Sequence, residues 1–138
     1  MKETAKQEAK KPATKIRKKK VQRTVPTGIV HVKASFNNTI VSITDLAGHV
    51  IAWSSAGRSG YSGSRKSSAF AATMAAQNAT KAAMAMGMKE AEVYLKGAGG
   101  GRESAVRGVI SAGINVTKIT DITPLPFNGC KPRKRRRV

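Results

Sequence analysis

The segment Ala91–Gly113, AEVYLKGAGGGRESAVRGVISAG, restricts the fold more than any other part of the chain. Val93 and Leu95 alternate with Glu92, Tyr94 and Lys96, the period of a strand over 91–96. Gly97, Gly99, Gly100 and Gly101 then free the backbone from side-chain restriction. Glu103 opens a helical pattern running to Ala112, with Val106, Val109 and Ile110 on one face and Gly113 as C-cap. A strand, a glycine loop and a helix start in that order aim backbone N–H groups at an anion. Arg102 and Arg107 stand nearby, so the loop, with Gly99 and Gly101, reads as a phosphate contact. It is neither a P-loop, since no Gly-Lys-Ser/Thr closes it, nor a dinucleotide fingerprint, whose third glycine position counted from Gly97 is occupied by Arg102. A tight turn that needs glycine for packing accounts for the cluster equally well.

Upstream, Ile29–Phe36 alternates, with Val30, Val32, Ala34 and Phe36 expected inward. Asn37-Asn38 reads as a tight turn, because Asn tolerates positive φ. Thr39–Thr44 is a β-branched return strand, Asp45–Gly48 a second turn and His49–Ser54 a third strand. The serine-rich stretch 54–68 carries Arg58, Tyr61, Arg65 and Lys66 and no acid. Its hydroxyls suit phosphates and Tyr61 suits stacking on a base, which favours an RNA-facing loop over a plain linker. Ser67 or Ser68 is the expected N-cap of a helix over Ala69–Gly87. Phe70, Met74, Asn78 and Ala82 form one stripe of that helix, with Ala71, Ala75 and Ala79 beside it, and its methionines suit core packing. A last strand falls at Val116–Thr123. The expected body is therefore a mixed five-stranded α/β sheet: an antiparallel three-strand meander, then strand–helix–strand–helix–strand with parallel crossovers and two main helices.

Charge divides the chain into three. Of 26 Lys and Arg against 7 Asp and Glu, ten basic and two acidic residues fall in 1–25, and six basic and no acidic residues in 125–138. Fourteen of the nineteen net positive charges thus lie outside a single domain at 26–124. Such arms bury no core, and their natural partner is a polyanion. A membrane fits poorly, since no apolar run approaches a spanning length and neither arm interleaves its lysines with apolar anchors. The polar first 15 residues lack the apolar run of a signal peptide. Cys130 is alone, and His31 and His49 have no neighbouring ligand set, so no disulfide, metal or cofactor is expected. Asn128-Gly129 is a candidate for succinimide formation at Asn128.

The strings SFNNTIVSITD (35–45), SGSRKSSAFAA (62–72), KGAGGGRES (96–104), ITDITPLPFNGCKP (119–132) and the closing RKRRRV resemble the small-subunit ribosomal protein eleven family, most closely its bacterial-type members. The resemblance spans Arg17 to Val138, while the first 14 residues match nothing in it. Two positions depart: Ala98 and Gly100 stand where prolines are usual, and Phe127 where histidine is common. The resemblance implies a ribonuclease H-like motif without catalytic acids. Asp45 and Asp121, the only aspartates, lie far apart, which does not suit two-metal nuclease chemistry.

It further implies a non-enzymatic constituent of the small-subunit platform that bridges ribosomal RNA helices. Expected neighbours are platform proteins seven, eighteen and, where present, twenty-one, close to messenger RNA and an initiation factor, with no homo-oligomer. The implied location is the ribosome in the cytoplasm, an organellar ribosome being left open. The residues expected at RNA are Lys18, Lys19, Lys20, Arg23, Asn37, Asn38, Arg58, Arg65, Lys66, Gly99, Gly101, Arg102, Lys131, Arg133, Lys134, Arg135, Arg136 and Arg137. Two rivals fit less well. A DNA-compacting protein lacks a helix with base-reading polar residues, and a nucleotide-using enzyme lacks the P-loop lysine and paired acids.

Overall fold

The computed structural model describes residues 23–138. Its elements are β1 (Thr27–Ala34), β2 (Thr39–Thr44), β3 (Val50–Ser55), a 3-10 turn (Gly63–Ser67), α1 (Ala69–Met84), β4 (Glu90–Lys96), α2 (Arg102–Ala112) and β5 (Asn115–Asp121). The strands make one mixed five-stranded sheet in the order β3-β2-β1-β4-β5. β1, β2 and β3 form the expected antiparallel meander, and β4 lies parallel to both β1 and β5. The crossover through α1 therefore passes back over the meander, so β3 keeps an edge and β4 joins β1.

Alternation decides which face is covered. Val30, Val32 and Ala34 of β1, Val41 and Ile43 of β2, Ala52 of β3, and Ala91, Val93 and Leu95 of β4 are all buried. Both helices cover that face, leaving the other open, and they meet it with small side chains. Ala71, Ala72, Ala75, Ala76, Ala79, Thr80 and Ala83 are buried on α1, and Ala105, Val106, Gly108 and Val109 on α2. At the crossing a Cβ on Gly108 would stand 2.8 Å from the Thr73 carbonyl oxygen and 2.9 Å from Ala76 Cβ. Contact this close is possible only between alanine and glycine faces.

Several expectations need correction. Phe36 is 78% exposed rather than inward. β1 stops at Ala34 because Ser35 already turns the chain: its Oγ accepts from the Asn38 N–H at 3.1 Å and donates to the Asn38 carbonyl at 3.0 Å. Neither Asn37 nor Asn38 uses a positive φ, a conformation that among described non-glycine residues belongs to Asn128. On α1 the buried face is the alanine face, while Phe70 is 65% exposed and Asn78 and Ala82 are exposed too. Among the methionines Met88 is core, Met74 and Met86 are half-buried and Met84 is exposed. Ile110 is 53% exposed, so α2 packs through Ala105, Val106, Gly108 and Val109. α1 ends at Met84, and Gly87, at φ 87°, closes the following turn.

Candidate nucleic-acid interface

Topology alone gathers the expected contacts of the loops and the tail. β1, β3, β4 and β5 all run toward one end of the sheet and β2 starts there. The turn at 35–38, the loop at 56–68, the glycine loop at 97–101, the first turns of α1 and α2 and the exit of the C-terminal tail therefore share that loop end. Hydrogen bonds lock them together. The Ala56 N–H donates to the Thr39 carbonyl at 3.1 Å, Gly99 N–H to the Ala34 carbonyl at 3.0 Å, and Ile122 N–H to the Leu95 carbonyl at 2.8 Å. The Asn78 amide donates to Ser59 Oγ at 3.1 Å, fastening the serine loop to α1.

The glycine loop serves packing as well as exposure. A Cβ on Gly99 would stand 2.2 Å from the Ser35 carbonyl oxygen, and one on Gly101 would stand 2.3 Å from Thr39 Oγ1 and 2.8 Å from Ala72 Cβ. Gly99 and Gly101 are buried, so what they give an interface is position rather than surface. Two loop N–H groups are also already used, Gly99 on Ala34 and Gly97 on Thr123 Oγ1 at 3.1 Å. Exposed Gly100 and the start of α2 remain outward. The first helical bond there is Ala105 N–H to the Gly101 carbonyl at 3.0 Å, and no side chain caps that end. At α1, by contrast, Ser68 is the N-cap, its Oγ accepting from Ala71 N–H at 3.2 Å.

Among the cations, Arg58 and Arg65 are exposed and Lys66 is half-buried. The Arg58 guanidinium lies over the Trp53 ring, 4.5 Å from its centroid. That stack escaped the sequence reading, although Trp53 falls at an outward position of β3. Tyr61 meets Phe70 edge to face at 6.2 Å. Arg102 is half-buried and paired with Asp121, so its charge is already matched within the fold. The Asp121 carboxylate also accepts from the Thr123 hydroxyl at 2.6 Å and the Thr123 N–H at 2.9 Å. These bonds, the hydroxyl first and Arg102 after them, hold Asp121 down at about 2. The Asp-x-Thr spacing was the sequence signal for this clasp, which fixes where the tail leaves the sheet.

Beyond the clasp, Lys131, Arg133, Lys134, Arg135, Arg136 and Arg137 are exposed along the tail. The other arm joins elsewhere. The Val25 N–H donates to the Met86 carbonyl at 3.2 Å, next to the C-terminal end of α1, so exposed Arg23 enters at the end opposite the loops. Lys18, Lys19 and Lys20 lie outside the described residues. At that far end Asp45 accepts from the His49 N–H at 2.8 Å, the first cause holding its carboxyl below the usual range. Among the described residues no three His, Cys, Asp or Glu side chains gather where they could hold a metal, and no helix is long and apolar enough to cross a membrane.

A sheet covered on one face, with helix starts, loops and the exposed Arg58 and Arg65 at one end, defines a scaffold that presents a basic surface. The chain matches the family model described as ribosomal protein S11 over residues 28–137. It is 69% identical over 121 residues to the small ribosomal subunit protein uS11 of Chlamydia trachomatis serovar A, covering 88% of this chain and 92% of that one. Identity is 68% over 126 residues to the uS11 of Chlamydia pneumoniae, covering 91% and 95% of the two chains. It is 63% over 134 residues to the uS11 of Protochlamydia amoebophila, covering 94% and 99%. The chain belongs to the ribosomal protein S11 family. It is accordingly a structural component of the small ribosomal subunit and not an enzyme.

Proposed function

We propose that this chain binds small-subunit ribosomal RNA through its loop end and its C-terminal tail. On this reading 26–124 is one RNA-binding domain, and 1–25 and 125–138 are basic arms flanking it. The observation that carries the proposal is convergence. Asn37, Asn38, Arg58, Arg65, Lys66, the glycine loop and the root of a tail with six basic residues all stand at one end of a rigid sheet. Lysine and arginine in the tail neutralise phosphates and release counterions, which supplies affinity with little choice of sequence. The braced loops supply choice of shape, as suits folded RNA, whose deep grooves admit few side chains. The resemblance supports a platform position beside proteins seven, eighteen and, where present, twenty-one, near the exit path of messenger RNA and an initiation factor, in a cytoplasmic ribosome.

The decisive experiment is a sucrose gradient of a cell lysate blotted for this protein at low and high salt. Sedimentation with the small subunit through moderate salt washes is expected, and a peak among free proteins or with the nucleoid would give the lead to the DNA-binding rival. Removing residues 131–138 should then weaken binding to ribosomal RNA and flatten its salt dependence.

A further inference from the structure

The open face of the sheet is ordered into rows by the strand registers. At the loop end one row runs Ile40, Lys33, Lys96, and Ile122 follows beside Leu95. The next runs Trp53, Ser42, His31, Tyr94, Thr120, and the one below it Val50, Thr44, Ile29, Glu92, Lys118. His31, Lys33, Ile40, Tyr94, Lys96 and Ile122 line one shallow hollow in this face.

The top row holds an electrostatic conflict. Lys33 and Lys96 are direct neighbours across the parallel β1–β4 pair, both exposed and on the same face. Like charges placed opposite each other destabilise a sheet. Two rows down the chain does the reverse and sets Glu92 against Lys118. Among the described residues the ion pairs are His49–Asp45, Arg102–Asp121 and Arg107–Glu103, and none reaches Lys33 or Lys96. Among the described residues no carboxylate is paired with either lysine, which leaves both ammonium groups available to an anion.

We infer that the open face carries an RNA-backbone site in which Lys33 and Lys96 share a phosphate and Tyr94 takes the adjoining base. The site rests on the RNA-binding reading above and extends it from the loop end, beyond Arg58, onto the open face. Two observations favour RNA over an acidic peptide. The lysine pair continues the positive strip of the loop end, where Arg58 lies over Trp53 at the same face's edge, and a repeating phosphate chain follows such a strip. Below the lysines the row is aromatic. Tyr94 and His31 meet edge to face at 5.7 Å, and the Tyr94 hydroxyl donates to Glu92 at 3.3 Å, which lays the ring along its strand as a platform for a base.

The test uses the full chain and small-subunit ribosomal RNA transcribed in vitro, with affinity measured across a salt series. The double variant Lys33→Gln/Lys96→Gln should lower the slope of log affinity against log salt by about 0.7 to 0.9, the value for one phosphate, and cost roughly three- to fourfold in affinity at 0.2 M salt. Its thermal midpoint should equal or exceed that of the wild type, since a repulsion is removed. Tyr94→Leu should cost about fivefold or more at an unchanged slope. The pair Lys81→Gln/Lys89→Gln, equal in charge but toward the opposite end, should leave the slope unaltered. A Lys33/Lys96 variant with the wild-type slope overturns the site and leaves this face to an acidic protein partner or to solvent. A wild-type chain whose binding ignores salt overturns the RNA-binding reading itself, and this site with it.

Discussion

Gly99 and Gly100 are neighbours with opposite tolerance for a side chain. A methyl at Gly99 would meet only backbone, the Ser35 carbonyl oxygen at 2.2 Å and carbon at 2.7 Å, whereas one at Gly100 meets nothing within 4 Å. Gly99→Ala should therefore cost about 1–3 kcal/mol. Gly100→Ala should be neutral or stabilising by about 0.4–1 kcal/mol, through a less free unfolded chain. Urea unfolding of both variants checks this, and equal losses would undo the packing account of the loop. Asp121 gives a second residue-scale outcome. Its pKa is depressed to about 2, so the clasp's contribution is complete above the unfolded value of about 4 and is lost as pH falls through 2. Thr123→Val removes the leading cause, and an NMR titration should then find the Asp121 carboxyl closer to its ordinary value. At Asn128, exposed and left-handed at φ 53°, attack by the Gly129 nitrogen on the side-chain carbonyl would expel ammonia, and water would reopen the ring. Peptide mapping of aged protein should find aspartate and isoaspartate there, and intact asparagine throughout would end that reading.

At the scale of elements, α1 shows what packing by alanine implies. Ala76 faces α2 at the Gly108 crossing, where space is already tight. Ala76→Leu should cost about 1–3 kcal/mol by overpacking. Phe70→Ala, for all the size of the side chain removed, should stay within about 0.5 kcal/mol in the isolated protein, because Phe70 is 65% exposed. Denaturant midpoints of the two variants separate the faces. The same helix explains what was legible. Strands were readable because alternation of β-branched and polar residues leaves one choice of face, and β1, β2 and β4 bury the side their spacing indicates. On α1 small residues surround the helix, so hydrophobic size pointed to the Phe70 stripe while close approach to the sheet and α2 selected the alanines. Phe36 misled for another reason, since its alternation continues past the point where Ser35 turns the backbone. The loops of the candidate interface could be named from composition, but not which of them lie side by side. The glycine loop stands beside the 35–38 turn because β4 pairs with β1 rather than β3, a non-local choice that no local pattern encodes.

For the whole molecule, the two arms do not leave from the same place. Arg23 precedes the β1 start, while the tail departs past Asp121 at the β5 end, and β1 and β5 run the same way. A strand of eight residues spans about 26 Å, roughly three Debye lengths at physiological salt. Charges so separated are screened from one another, so the arms should engage phosphates independently, and a chain with both would span two places on a folded RNA. The consequence is measurable as additivity. Deleting 131–138 removes six basic residues and deleting 1–22 removes nine, and each should lower the salt slope of binding to small-subunit ribosomal RNA. The double deletion should lower it by the sum of the two. A double deletion no worse than the larger single one would mean that both arms serve one patch of phosphates. That would require the first arm to fold back along the body and reach the loop end.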